Sequence, residues 1–80
     1  MNNKDREFLK ALVNNLDGSG YKPPFEFTQR RIRLEIQKYY EYSTEKSVVS
    51  KLRLLHSEGL IEIEGMTFTL TEIAIKIGRE

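Results

Sequence analysis

The sequence has no cysteine, a single histidine (His56) and only two prolines, which adjoin at Pro23 and Pro24. Without cysteine there is no disulfide and no thiolate metal site. One imidazole cannot build a zinc site from nitrogen ligands alone. No apolar run approaches the ~20 residues of a membrane-spanning helix. The opening MNNKDREF lacks the apolar core of a secretory signal, so a reducing, cytoplasmic setting is expected. A dominant charge is also missing: 13 basic and 12 acidic side chains leave a formal net charge of +1, which selects no partner. No paired acids, nucleophile–base set or glycine-rich phosphate loop is recognisable, and Gly18 and Gly20 are loop residues rather than a dinucleotide fingerprint. Neither an enzyme, a cofactor nor a small-molecule substrate is expected.

What remains is the composition of a small folded domain, residues 1–80, with 39% hydrophobic and 31% charged residues, neither disordered nor membrane-like. A chain of this length buries only about 60% of the surface exposed on unfolding. With disulfides and metals excluded, oligomerisation is the expected supplement.

Periodicity places the elements. KDREFLKALVNNL reads as a helix over about 4–16, with Leu9, Leu12, Val13 and Leu16 on one stripe and Phe8 at its edge. DGSGYKPP is loop chemistry. Phe25, Glu26 and Phe27 alternate as a short strand, 25–27. Thr28 stands as N-cap of a second helix, about 28–40, with Ile32, Ile36, Tyr39 and Tyr40 inward. EYSTEKS breaks the pattern, and a third helix, 44–58, follows on the stripe Val48, Leu52 and Leu55 before Gly59 closes it. LIEIE (60–64) and TFTL (67–70) alternate about a turn at Gly65 and Met66, forming a hairpin with Ile61, Ile63, Phe68 and Leu70 inward. Thr71 then caps a last helix, 71–78, with Ile73, Ala74 and Ile77 inward.

In STEKSVVSKLRLLHSEGLIEI, Leu52, Leu55, Gly59, Leu60 and Ile61 stand where winged helix-turn-helix DNA-binding proteins carry the end of the recognition helix and the first wing strand. FTLTEIAIKI resembles the segment after the wing in repressors of the multiple-antibiotic-resistance and phenolic-acid-decarboxylase types, with Leu70, Thr71 and Glu72 opening the last helix and Ala74 where those families often have glycine. The resemblance covers roughly residues 25–77. It implies an α+β winged helix-turn-helix fold: a three-helix core, a short β-hairpin wing and a C-terminal helix. It also implies dimerisation through terminal helices. A fold alone does not fix a function.

Surface residues carry the functional expectation. Residues 22–53 hold eight basic and four acidic side chains, whereas residues 54–80 hold two basic and five acidic. On the third helix Lys46, Ser50, Arg53 and Ser57 project outward, with Ser47 and Lys51 on the flanks: hydroxyls for base edges, cations for phosphates or guanine. A solvated helix face would look much the same. Arg30 and Arg31 lie in the first turn of the second helix, where the dipole disfavours cations and a phosphate would favour them. An Arg31–Glu35 pair at i,i+4 would have the poorer charge order.

The expected reading is sequence-specific binding of double-stranded DNA by a small dimeric transcriptional regulator, with the 44–58 helix in the major groove. The contact set is Arg30, Arg31, Thr44, Lys46, Ser47, Ser50, Lys51 and Arg53, with Arg33 and Lys22 as weaker phosphate candidates. Ile75, together with the first helix, is the expected dimer patch. Glu62 and Glu64 make the wing a brace rather than a DNA contact. His56 is expected to sit favourably at a helix C-terminus. The alternatives are a winged-helix protein–protein module and a replication-associated or RNA-binding winged helix.

Overall fold

The computed structural model describes all 80 residues. Four helices and three strands follow in the order α1 (Asn3–Gly18), β1 (Glu26–Thr28), α2 (Gln29–Tyr40), α3 (Glu45–Ser57), β2 (Ile61–Glu64), β3 (Thr67–Leu70) and α4 (Glu72–Gly78). Each helix begins on a side-chain cap. Asn2, Thr28, Thr44 and Thr71 accept from the backbone N–H of Asp5, Arg31, Ser47 and Ala74, each satisfying a donor that the first turn leaves free. The helix ends differ. α2 closes on Glu41 in the left-handed region (φ 56°), and Gly59 follows α3 at φ 75°. That conformation favours glycine, so only Gly59 adopts it without a side-chain penalty.

The strands form one antiparallel sheet in the order β1-β3-β2. Phe68 lies opposite Phe27 on one side and Ile63 on the other, and Ile61 opposite Leu70. Thr28 does two jobs: it pairs with Thr67 as the last residue of β1, and its Oγ1 accepts from Arg31 N at 3.1 Å as the cap of α2. No residue intervenes between strand and helix.

One core joins these layers, centred on Leu9, Val13, Ile32, Ile36, Leu55 and Ile61, with Phe8, Phe25, Phe27 and Phe68 filling its ends. The expected stripes of α1, α2 and α3 are inside, with Leu16 and Tyr39 half-buried at the margin of the core. The hairpin departs from expectation at Ile63, which is 40% exposed although it lies opposite the buried Phe68.

α4 is rotated from the expected orientation. Its buried face is Ala74, Ile75 and Gly78; Ile77 is half-buried and Ile73 is 61% exposed. The cause is Gly78. A Cβ there would stand 2.8 Å from the Leu9 carbonyl oxygen and 2.5 Å from Val13 Cγ2, so its absence lets α4 settle onto the α1 backbone. Ile75, three residues earlier on that face, is buried at 9% exposure and is not the exposed apolar residue that the sequence pattern anticipated. Arg79 closes the same contact with two hydrogen bonds to the Asp17 carboxylate, 3.1 and 2.9 Å. Those bonds hold the Asp17 carboxyl below the usual carboxylate range. No helix is long and apolar enough to cross a membrane.

Candidate nucleic-acid interface

The basic middle of the chain becomes the outer faces of α2 and α3. A short turn separates the helices, and Arg33 reaches from α2 to Glu45 at the start of α3, Nη1 to Oε1 3.0 Å. This ion pair occupies the only carboxylate in α3. From Lys46 to Arg53 the outer face therefore carries no competing acid.

The expected contact residues divide into three groups. Arg30, Lys46 and Arg53 are exposed and enter no ion pair, so their charges face solvent. Ser50 is exposed beside them, its hydroxyl without a protein partner. Lys46 and Ser50 line one shallow depression on α3, whereas Arg30 lines a separate cleft between α2 and α3.

Thr44, Ser47 and Arg31 are partly committed elsewhere. Thr44 Oγ1 accepts from Ser47 N at 3.2 Å and lies 2.9 Å from Ser47 Oγ, so both hydroxyls help to start the helix. Arg31 Nε meets Glu35 Oε1 at 2.9 Å, forming the i,i+4 pair despite its charge order. The guanidinium remains largely exposed, but its charge is partly offset.

Lys51 is a correction. It turns inward, 9% exposed, and its Nζ lies 2.6 Å from Asp5 Oδ1 in the first turn of α1. Tyr40 OH donates to the same oxygen at 2.6 Å, and the Lys51 ammonium sits 4.9 Å from the centre of the Tyr40 ring. Burial works against the Asp5 charge, but the hydrogen bonds from Lys51 and Tyr40 outweigh it and hold the carboxyl below its usual range. Burial and the Asp5 carboxylate push the Tyr40 phenol well above its usual range. Lys51 is thus the counter-ion of a buried carboxylate rather than a phosphate ligand.

Two concavities shape this surface. An open cleft of about 520 Å³ runs between α2 and α3, lined by Gln29, Arg30, Arg33, Leu34, Gln37 and the α3 residues Glu45 and Val48. A shallower one of about 390 Å³ lies on α3 among Tyr42, Lys46, Ser47, Ser50, Leu54 and the stem of Lys51. Gln29 and Tyr42 were not among the expected contacts. Tyr42 stacks on Tyr40 at a centroid distance of 5.4 Å and 8° between planes, which anchors its ring at the edge of the depression. Its place in the turn between the helices was the available signal. Arg33 Nε is buried without a hydrogen-bond partner beneath the cleft.

The remaining candidates settle as structural. His56 Nδ1 is 2.8 Å from the Ile61 carbonyl, which can only accept, so Nδ1 carries the proton and ties α3 to β2. Glu62 and Glu64 are exposed and unpaired on the hairpin, as is Met66, 80% exposed at its tip. No three acids or histidines converge as metal ligands. No protein-family model matches the chain, and neither a curated protein nor a solved structure matches it significantly.

Proposed function

We propose that the chain is a winged helix-turn-helix domain that binds double-stranded DNA, with α3 in the major groove and the first turn of α2 against the phosphate backbone. The observation that carries this reading is the pairing pattern. Lys46 and Arg53 are exposed and unpaired on α3 with Ser50, and Arg30 is exposed and unpaired in the first turn of α2, while the one acid of α3 is neutralised by Arg33. Cations left without partners beside free hydroxyls suit phosphates and base edges. The helix order, the short α2–α3 turn and the β1-β3-β2 sheet support the fold assignment.

Glu62 and Glu64 would be repelled by phosphates, so the hairpin serves as a brace. A role in transcription regulation follows from sequence-specific binding. A dimer through the terminal helices would now rest on Ile73 rather than Ile75, and solution mass at micromolar concentration tests it.

The test of function is a salt-titrated mobility shift on mixed-sequence duplex DNA, with single-stranded DNA and RNA as competitors. Duplex binding that weakens steeply with salt supports the reading. Absence of salt-sensitive binding rejects it in favour of a protein–protein module. The exposed acidic hairpin with Met66 at its tip favours that second reading.

A further inference from the structure

Leu54 is an apolar side chain on a polar face. It is 47% exposed although α3 already buries Val48, Leu52 and Leu55 on the opposite side. Its setting is specific. At helical spacing Leu54 lies on the same face as Lys46, Ser47 and Ser50, and all four line the shallow depression that Tyr42 borders. Arg53, the preceding residue, is exposed on the neighbouring part of the helix surface. An isolated exposed leucine needs no explanation by itself. A leucine set among hydroxyls and unpaired cations, on the face proposed to enter a major groove, has a natural ligand. The thymine 5-methyl is the one apolar group that an unmodified major groove presents.

We infer that Leu54 reads sequence by seating against the 5-methyl group of thymine, with Ser50 next to it on the neighbouring base edge. The inference rests on the DNA-binding reading and adds a base preference to it. The geometry is compatible in scale. Lys46 and Leu54 are roughly 12 Å apart along the helix axis, about three to four base steps at 3.4 Å per base. Lys46 can therefore hold a phosphate while Leu54 reaches a base farther along the groove. The cations make such a contact possible by holding the helix in the groove; they cannot by themselves distinguish thymine from uracil.

That distinction supplies the test. Duplexes bound by the full chain are selected from a random-sequence pool, and each thymine of the best duplex is replaced singly by deoxyuridine, which removes only the methyl. The expected result is a loss of roughly three- to fourfold in affinity at one or two positions, the worth of one buried methyl-sized group. Leu54→Ser and Leu54→Ala should bind the uridine and thymine duplexes equally, with the salt dependence of binding unchanged. Both substitutions are at an exposed site, and thermal melting checks that the fold is retained. Uridine replacement without effect on the parent chain, or with the same effect on both Leu54 variants, overturns the inference while leaving DNA binding in place. A pool that yields no bound duplex overturns the DNA-binding reading and the inference with it.

Discussion

Lys51 Nζ and Asp5 Oδ1 lie 2.6 Å apart inside the protein, joining the middle of α3 to the first turn of α1. Removing one partner of a buried pair strands the other charge and costs about 3–5 kcal/mol, whereas replacing both with apolar groups can be nearly neutral. Asp5→Ala is expected to destabilise by that amount in urea unfolding. Asp5→Leu combined with Lys51→Met is expected to recover most of it. A double variant no more stable than Asp5→Ala would show that the ion pair is not the source of the loss.

Asp5 also makes stability depend on pH. Its folded-state pKa is depressed below the ordinary value of 3.8. The corresponding stability is fully present above that value and is lost as pH falls through the folded one. Asp17, lowered by Arg79, titrates in the same direction. Unfolding free energy should therefore fall with acidification below about pH 4. Asp5→Asn should be less stable at neutral pH and show a shallower acid decline, with Asp17 supplying the remainder. Equal slopes for the two proteins would contradict the assignment.

The inward turn of Lys51 separates it from the other cations of α3 in a binding assay. Neutralising Lys46 and Arg53 together with glutamine should reduce the slope of log affinity against log salt by about two. Lys51→Met should lower thermal stability and leave that slope unchanged. A slope reduced by Lys51→Met as much as by Lys46→Gln would return Lys51 to the interface.

Glu45 holds Arg33 by an exposed ion pair at 3.0 Å, and Arg33 Nε has no partner of its own. Such a surface pair contributes little to stability, about 0–1 kcal/mol. Its larger effect is to occupy a guanidinium beside Arg30. Glu45→Gln is expected to tighten duplex binding and raise the salt slope by up to about one, with melting temperature little changed. Weaker binding would mean that Glu45 positions the helices rather than masking a cation.

Gly78 sets how closely α4 approaches α1. Gly78→Ala places a methyl against the Leu9 carbonyl and Val13, neither of which is a flexible side-chain end. Overpacking of this kind costs typically about 1–3 kcal/mol. One kcal/mol shifts the melting temperature of a domain this small by roughly 4–8 °C. A drop of roughly 4–24 °C is therefore expected in calorimetry. An unchanged or higher melting temperature would show that α4 is docked loosely.

The elements were legible because they repeat: apolar residues at helical spacing in α1 to α3, alternation in the hairpin, a capping residue before each helix. The errors share another origin. The rotation of α4 was hidden because its packing is set by Gly78, which contributes no side chain to a stripe. Lys51 was placed outside because a helical face sorted by polarity cannot reveal Asp5, a partner on another helix. Alternation put Ile63 on the Phe68 side of the hairpin without showing that only the Ile61 end of β2 is covered. For the candidate site, exposure was legible at Arg30, Lys46 and Arg53, whose charges stay unpaired, and obscured at Lys51, where the fold supplies a counter-charge.

Thr28 leaves no slack between sheet and helix. The strand that pairs with the centre of the sheet ends on the atom that starts α2, two residues before Arg30. Sheet and helix therefore share one residue as their joint, with Thr28 bound to Thr67 on one side and to the first turn of α2 on the other. The backbone that carries Arg30 is thus tied, two residues upstream, to the register of the sheet.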